Sequence, residues 1–424
     1  MKTVICLTAC ALVALADPVR GDEPPRVTLA EALLLARQIN PDLLAARADL
    51  ETARAQVTTA RALPNPVLSY STTKIPTDGT PADTIYGNDF YSRSYDTVVA
   101  ATQLVEIGGK RSSRRSSADE GVAAASARLA DAFRLLDASV VKAYVAAAVA
   151  ARTADLTRDS ADALAKTVAL AGDREAAGEI SRAERTQVEI AGGKFRADAI
   201  QAELARGNSL RSLAALLNLP AVALAEDLSS LASAEAVPPV GDDAALVPRR
   251  PDVLALDAAV RKAEAELSLQ KAFRVPDPTL LVQYEREPPD QRNTFGFGVS
   301  LPLPLFNRNT GAIHAAEVAR DAARRDLGRG RVRAEQDLAA TRQALEIADA
   351  RSTRLAGELL PKAESVRETV RDAYQQGGAS LLELLEAERN ANDIRLAAAT
   401  AERTVAVQTT GESRPFPCSM YGKL

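Results

Sequence analysis

Apolar residues recur at intervals of three and four through two long stretches of the chain, residues 110–174 and 309–373, and this is the period of an α-helix. At about 1.5 Å per residue, each stretch predicts a helix roughly 100 Å long. The apolar stripes are Leu129, Phe133, Leu136, Val140, Tyr144, Ala147, Ala148 and Ala151 in the first stretch, and Val366, Val370 and Tyr374 in the second. We expect both stripes to lie in the core of a bundle of helices.

Each long helix is predicted to end at a glycine-containing turn that is followed by a serine, Ser181 or Ser380. Glycine commonly follows the last residue of a helix, and serine commonly caps the next helix. The two stretches therefore predict two long helical hairpins, over about 110–217 and about 309–408.

Four short segments alternate with a period of two, which is typical of β-strands. They cover residues 67–72, 97–104, 279–285 and 295–301. In the last segment every second residue from Phe295 to Leu301 is apolar, and the residues between them are glycine or serine. We expect two strand hairpins, at about 66–105 and about 278–305, each with an apolar face and a small, polar face.

Several sequence landmarks occur twice, in the same order and about 200 to 212 residues apart. For example, Ala-Leu-Pro-Asn-Pro at residues 62–66 is matched by Arg-Val-Pro-Asp-Pro at residues 274–278, and Gly178 is matched by Gly378. An internal duplication of this kind predicts two equivalent structural units. The predicted divisions are a signal peptide at 1–16, a first repeat at 17–235, a second repeat at 236–408 and an irregular tail at 409–424.

Four strands with one apolar and one small, polar face fit the wall of a membrane β-barrel. Every backbone hydrogen-bonding group must be satisfied in hydrocarbon, so an open four-stranded sheet does not suit lipid. Two chains would close a barrel of eight strands filled by side chains, whereas three chains would give twelve strands and leave room for a channel. The alternative is a pair of ordinary surface hairpins on a soluble helical protein.

The first sixteen residues resemble a removable export signal. Lys2 precedes an apolar run that ends in a small-x-small site, Ala14-Leu15-Ala16, although a buried first helix is the alternative. Leu7-Thr8-Ala9-Cys10 also resembles a lipidation motif, so lipidation of Cys10 stays open. Removal of this segment leaves Cys418 as the last cysteine, and an intrachain disulfide is then not expected.

Composition argues against catalysis, a bound cofactor and nucleic-acid binding. The net charge is only −4, and basic and acidic residues are interspersed, which does not favour nucleic acid. His314 is the single histidine, whereas a zinc or copper site needs three or four converging ligands. A nucleophile with its base and orienting acid would also have to be built around that one histidine. We therefore expect no catalytic residues, no metal site and no enzyme.

The ordered landmarks as a set resemble the outer membrane efflux protein, or TolC-like, family from about Val27 to Val405. The residues that carry this resemblance are 28–32, 40–41, 64–66, 103–111, 178–181, 250–252 and 301–308. The stretch Pro-Leu-Phe-Asn-Arg-Asn-Thr-Gly ending at Gly311, together with residues 106–111, is similar to the heavy-metal, cobalt-zinc-cadmium type branch of that family. Residues 409–418 depart from the family, which usually continues its last helix there.

The resemblance implies a mainly α-helical chain with a membrane β-barrel portion. In a homotrimer, four strands from each chain would form a shared twelve-stranded barrel in outer membrane lipid, and the helices would form a long tunnel in the periplasm. The implied partners are a periplasmic adaptor and an inner-membrane pump of the resistance-nodulation-division type. The implied function is a passive duct for heavy-metal cations. The alternatives are a drug-efflux or type I secretion duct, or a soluble periplasmic coiled-coil adaptor.

Two groups of residues are the candidate functional sites, and both lie at the hairpin tips. The residues expected to dock the adaptor are Gly178, Glu179, Ile180, Ser181, Gly377, Gly378, Ala379, Ser380 and Leu381, with Leu382 beside them. The candidate pore-lining carboxylates are Asp173, Glu175, Glu184 and Asp372, to which Glu179 can be added. Threefold repetition would turn each carboxylate into a ring of charge that favours cations. Ordinary turn chemistry and solvated helix-end charges are the alternatives.

Overall fold

The computed structural model describes residues 24–73, 96–228, 246–287 and 292–412. The predicted signal peptide, Cys10, Cys418 and residues 413–424 lie outside these ranges. The elements of the first half are β1 (Arg26–Val27), α1 (Leu29–Ile39), α2 (Pro41–Arg61), β2 (Val67–Thr73), β3 (Asp96–Leu104), α3 (Lys110–Ala176), α4 (Arg182–Leu216) and β4 (Ala223–Leu224). Those of the second half are a 3₁₀ turn (Val247–Arg249), α5 (Pro251–Ala272), β5 (Thr279–Glu287), β6 (Arg292–Ser300), α6 (Thr310–Ser352), a π-helical segment (Thr353–Leu359), α7 (Leu360–Gln375) and α8 (Leu381–Glu412).

Two compact units can be distinguished. The strand unit comprises the described residues within 39–138 and 237–347, and the tip unit those within 1–38, 139–236 and 348–424. Each unit combines segments from both predicted repeats, so the repeats are not themselves the compact units. The division into repeats at 17–235 and 236–408 stays a prediction. Residues 409–412 of the predicted irregular tail are helical, because α8 ends at Glu412.

The strand unit contains one antiparallel sheet in the order β2-β3-β5-β6, and the four predicted strands are confirmed. Val99 pairs with Tyr70 on one side and with Tyr284 on the other, and Tyr284 pairs with Phe295. These four residues share one face, since residues directly opposite each other in a sheet project to the same side. The opposite face carries Gly296 and Gly298 in β6 and Ser69 and Ser71 in β2. The predicted division into two faces therefore holds in β2 and β6 and is weaker in β3 and β5, where Val98 and Leu281 lie on the opposite face.

The turn after β3 is fixed to the segment before β5 by a buried ion pair. Lys110 Nζ lies 2.6 Å from Asp277 Oδ1 and donates to the Val275 carbonyl oxygen at 2.5 Å, and the Lys110 side chain is buried. Gly108 has φ +73°, and a Cβ there would lie 2.9 Å from the Val275 Cβ. Ile107 N–H donates to the same Asp277 oxygen at 2.9 Å. The segment after β3 thus packs so closely on the segment before β5 that position 108 tolerates little added volume.

Arg114 holds the end of α2 against the start of α3. It donates to the Ala60 and Ala62 carbonyl oxygens, each at 3.2 Å, and makes two hydrogen bonds to the Glu106 carboxylate at 2.6 and 2.9 Å. These bonds lower the pKa of Glu106 and raise that of Arg114. Free carbonyls at the end of a helix need such donors.

In the tip unit, Tyr144 is fully buried beneath the two-stranded parallel sheet formed by β1 and β4. Its hydroxyl donates to the Val27 carbonyl oxygen at 2.9 Å, and Glu226 accepts from Leu29 N–H at 2.9 Å. Burial, and secondarily the nearby Glu226 carboxylate, raise the pKa of Tyr144 to about 12. The predicted core position of Tyr144 is confirmed.

The second long helix differs from its prediction in two places. It is not α-helical throughout, because residues 353–359 form a π-helix in which Leu360 N–H donates to the Leu355 carbonyl oxygen. Pro361 has no N–H to donate to the Gly357 carbonyl, and its ring would crowd that oxygen in a regular helix. Val366 was predicted to be a core residue and this was wrong, since it is 55% exposed.

Among the described helices, none is both long and apolar enough to cross a membrane.

Candidate functional site at the helical tips

The first tip joins α3 to α4 through a turn that satisfies its own backbone groups. Gly178 has φ +78°, its N–H donates to the Glu175 carbonyl oxygen at 2.9 Å, and Glu179 N–H donates to the Arg174 carbonyl oxygen at 2.8 Å. This pair of bonds is the Schellman arrangement that ends a helix. Ser181 then caps α4: its hydroxyl accepts from Glu184 N–H at 3.2 Å, and Glu184 accepts from Ser181 N–H at 2.8 Å.

The second tip, between α7 and α8, repeats this geometry. Gly377 has φ +79° and donates to the Tyr374 carbonyl oxygen at 3.1 Å, while Gly378 donates to the Ala373 carbonyl oxygen at 2.7 Å. Subtracting the residue numbers of the two left-handed glycines gives an offset of 199. The sequence comparison that matched Gly178 with Gly378 is therefore corrected by one residue, because Gly377 is the residue that takes the left-handed conformation.

A reciprocal cap also begins α8. Ser380 donates to the Glu383 carboxylate from its N–H at 2.7 Å and from its hydroxyl at 2.9 Å. In return, the Glu383 N–H donates to the Ser380 hydroxyl oxygen at 3.3 Å. The backbone bond from Ser380, followed by that from its hydroxyl, lowers the pKa of Glu383. Ala379 is half-buried between this cap and the turn. The same offset of 199 relates Ser380 to Ser181 and Glu383 to Glu184, so the two tips are structurally equivalent.

One side chain ties the first tip to the second. The Arg174 guanidinium lies 5.1 Å from the centre of the Tyr374 ring and donates to the carbonyl oxygens of Tyr374 at 3.3 Å and of Gln375 at 3.1 Å. It also lies 3.5 Å from the Glu179 carboxylate. A cation at the last carbonyls of a helix is favoured by the helix dipole. Sequence reasoning did not single out Arg174, although a basic residue in the last turn of a helix is a recognisable signal.

The candidate carboxylates fall into two classes. Glu175 lies 2.5 Å from Arg185, and this bond raises the pKa of Arg185. Glu184 is occupied as a cap, and Glu179 faces Arg174. Asp173 and Asp372 are exposed and make no ion pair within the described part of the chain. They are related by the offset of 199, so one exposed carboxylate lies at the same position of each tip.

The apolar residues proposed for docking are not equally accessible. Leu381 is half-buried and packs against a cluster formed by Leu164, Ala191, Phe195 and Leu385. Ile180 is also half-buried. Leu382, in contrast, is the second residue of α8 and is 66% exposed. Leu382 is therefore the apolar side chain that the second tip presents to solvent.

A group of three carboxylates occurs in the strand unit, at the loop end of the sheet. Ligand atoms of Asp96, Glu285 and Glu287 lie within 4.8 Å of one another. The sequence did not reveal this group, because β3 and β5 are distant in sequence and only their register brings the residues together. His314 lies apart on α6, and its side chain is exposed to solvent.

The comparisons with known proteins match this architecture. The family described as outer membrane efflux protein matches residues 32–219 and 245–410. The chain belongs to the outer membrane efflux protein family. This membership confirms the predicted resemblance and the predicted location, in the outer membrane with helices extending into the periplasm.

Several members of the family are similar over most of their length. The cobalt-zinc-cadmium resistance protein CzcC of Cupriavidus metallidurans is 26% identical over 371 residues, which cover 87% of this chain and 85% of CzcC. The outer membrane protein VceC of Vibrio cholerae has a TM-score of 0.71 and 20% identity, covering 90% of this chain and 94% of VceC. The open-state MtrE outer membrane channel of Neisseria gonorrhoeae has a TM-score of 0.74 and 22% identity, covering 90% of this chain and 87% of MtrE. These structures confirm the TolC-like fold, helical with a β portion.

Proposed function

We propose that this outer membrane efflux protein is a passive duct for heavy-metal cations. It works as a homotrimer, receives its cargo from an inner-membrane pump of the resistance-nodulation-division type, and is joined to that pump by a periplasmic adaptor. The protein provides a channel through which the cations pass and catalyses no reaction, so it is not an enzyme.

The observation that carries the proposal is the four-stranded sheet of the strand unit. β2 and β6 each have one partner strand within the described sheet, and the face shared by Tyr70, Tyr284 and Phe295 is apolar. Free edges cannot remain unpaired in hydrocarbon. Pairing β6 of one chain with β2 of the next closes a ring, and three chains supply twelve strands, enough for a channel.

Two observations support metal cations as the cargo. The similarity to a protein named for cobalt, zinc and cadmium resistance extends over 87% of this chain. The exposed carboxylates Asp173 and Asp372 give the tips an affinity for cations without a fixed ligand set. Selectivity among metals then resides in the pump. Adaptor docking at the tips is supported by exposed Leu382 beside the capped turns.

Deletion followed by complementation tests the cargo. Growth of the deletion strain is measured on zinc, cobalt and cadmium, and in parallel on bile salts and dyes. We expect lost metal tolerance that the intact gene restores. Unchanged metal tolerance with lost tolerance of bile salts and dyes would identify a drug-efflux duct instead.

The oligomeric state is tested on the protein purified in detergent. Light scattering after size exclusion, corrected for bound detergent, is expected to give the mass of three chains. A monomeric, detergent-independent periplasmic protein would contradict the duct and favour a soluble adaptor.

A further inference from the structure

A run of exposed apolar side chains continues past the last paired residue of β6. Ser300 ends the ladder, yet Leu301, Leu303 and Leu305 keep the same alternation, and Phe306 follows them. Leu303 is 69% exposed and Phe306 is 100% exposed. Isolated exposed leucines are common, but a continuous run of this kind marks an interaction surface.

At the other end of the strands, toward the loops, the apolar face of the sheet ends abruptly. Tyr70, Val99, Tyr284 and Phe295 form one row across the four strands, and the Tyr284 and Phe295 ring centres are 5.4 Å apart. The next row toward the loops is polar and consists of Thr72, Thr97, Arg286 and Asn293. Aromatic residues that border a polar row are typical of a membrane interface. The apolar band therefore begins at the row of Phe295.

The paired strand is too short to form the whole band. Phe295 to Val299 spans four residue steps, which at about 3.3 Å per residue and a tilt of about 40° cover roughly 10 Å along the membrane normal. The apolar band of an outer membrane barrel is about 25 Å tall. Ten residue steps, from Phe295 to Leu305, would cover at most about 25 Å if fully extended, and a turn in which Leu305 N–H donates to the Leu303 carbonyl oxygen shortens that reach. The run after the ladder therefore adds part of the height that the band lacks.

The other chain segments at this end of the sheet carry exposed apolar residues as well. They are Leu63 before β2, Val105 and Ile107 after β3, and Val275 before β5. Two arginines adjoin these apolar runs in the chain and are exposed: Arg274 precedes Val275, and Arg308 follows Phe306 by two residues. Basic side chains at that depth suit the phosphates of lipid headgroups.

We infer that the segment Leu301–Phe306 is a lipid-contacting extension of the barrel wall. Its apolar side chains, Phe306 among them, contact lipid at the headgroup boundary of the periplasmic leaflet, where its unpaired backbone can still be hydrated. The segment sets how deeply the protein sits in the membrane. The inference rests on the proposed membrane duct, which it deepens by assigning a lipid-binding segment outside the strands. A second copy of the chain is the competing occupant of this surface.

Tryptophan fluorescence tests the inference cleanly, because the natural chain contains no tryptophan. Three single variants are reconstituted in phospholipid vesicles, Phe306→Trp in the segment, Val299→Trp near the middle of the sheet's apolar band and Val332→Trp on exposed α6. Lipids brominated near the headgroup or near the chain end quench a tryptophan at the matching depth. We expect shallow bromines to cause the larger loss of emission in F306W, deep bromines to cause the larger loss in V299W, and neither to affect V332W.

The outcomes separate the two proposals. Quenching of V299W without quenching of F306W would overturn the inference and leave the duct intact, because the segment would then be covered by protein or water. Loss of quenching in both variants would overturn the membrane sheet itself and the inference with it. Retained trimeric mass of F306W in detergent confirms that the variant has folded.

Discussion

The Arg174 guanidinium sits over the Tyr374 ring, 5.1 Å from its centre, although 200 residues separate the two in the chain. The same guanidinium reaches the Tyr374 and Gln375 carbonyl oxygens, which are the last acceptors of α7. One side chain of the first hairpin therefore completes the end of a helix in the second. Any movement that separates the two tips must break this contact.

Replacing Arg174 with alanine is expected to loosen the second tip. The loss of a cation–π contact and of two charge-assisted bonds should cost about 1–2 kcal/mol of local stability, since the guanidinium is only partly shielded from solvent. Amide hydrogen exchange at residues 374–380 should accelerate by roughly tenfold. Arg182→Ala, which removes an exposed arginine at the first tip, is the control. Equal exchange in both variants would show that Arg174 does not hold the tip.

The buried ion pair between Lys110 and Asp277 predicts that a single variant is much less stable than the double variant in which both charges are removed. Lys110→Met leaves Asp277 without its cation in a buried site and should destabilise the protein by about 3–5 kcal/mol. Combining it with Asp277→Leu should recover much of that loss, because no buried charge remains. Thermal unfolding in detergent measures both, with Lys271→Met as the exposed control. A double variant as unstable as the single one would contradict this account.

Asp173 and Asp372, which occupy equivalent positions in the two tips, predict cation selectivity at the tips. Neutralising both with asparagine should reduce the cation-to-anion permeability ratio by roughly tenfold, the lower end of the enrichment that a charged cleft produces. Reversal potentials in planar bilayers measure the ratio. Asp159→Asn on the same helix is the matched control. An unchanged ratio would exclude these carboxylates from the ion path.

Tyr144 predicts a loss of stability at high pH. Its folded pKa is raised to about 12 from an ordinary value near 10, so the folded state keeps the phenol proton longer than the unfolded state does. The resulting stabilisation is complete below pH 10 and is lost as the pH rises towards 12, by up to roughly 2–3 kcal/mol. Tyr144→Phe lacks this titration. The difference in unfolding free energy between the two proteins should therefore narrow over this pH range, and a constant difference would contradict it.

Local signals made much of the fold predictable. The alternation around Phe297 identified a strand, and the glycine and serine signals at Gly178 and Ser181 identified a helix end followed by a helix start, because these depend on a few neighbouring residues. Val366 shows the limit of such signals. It continues the spacing of Tyr374, but periodicity alone does not say which stripe of a helix meets a partner.

The rest of the candidate site depends on contacts between residues that are distant in sequence. Arg174 and Tyr374 meet only because the tips are neighbours, and Asp96 meets Glu285 only through the register of β3 and β5. No pattern within either segment encodes these pairings. The π-helical segment is an intermediate case: Pro361 was visible in the sequence, but whether a helix breaks, kinks or widens there depends on its packing.

The arginine that ties the tips has no counterpart in the second repeat, where Ala373 occupies the position equivalent to Arg174 under the offset of 199. In the proposed homotrimer, six turns of matching backbone geometry would thus carry only three arginine ties, one at every other turn. Such a rim would be sixfold in the geometry of its turns but threefold in charge. On the proposed trimer, a docking protein would therefore distinguish adjacent turns and bind in three orientations rather than six.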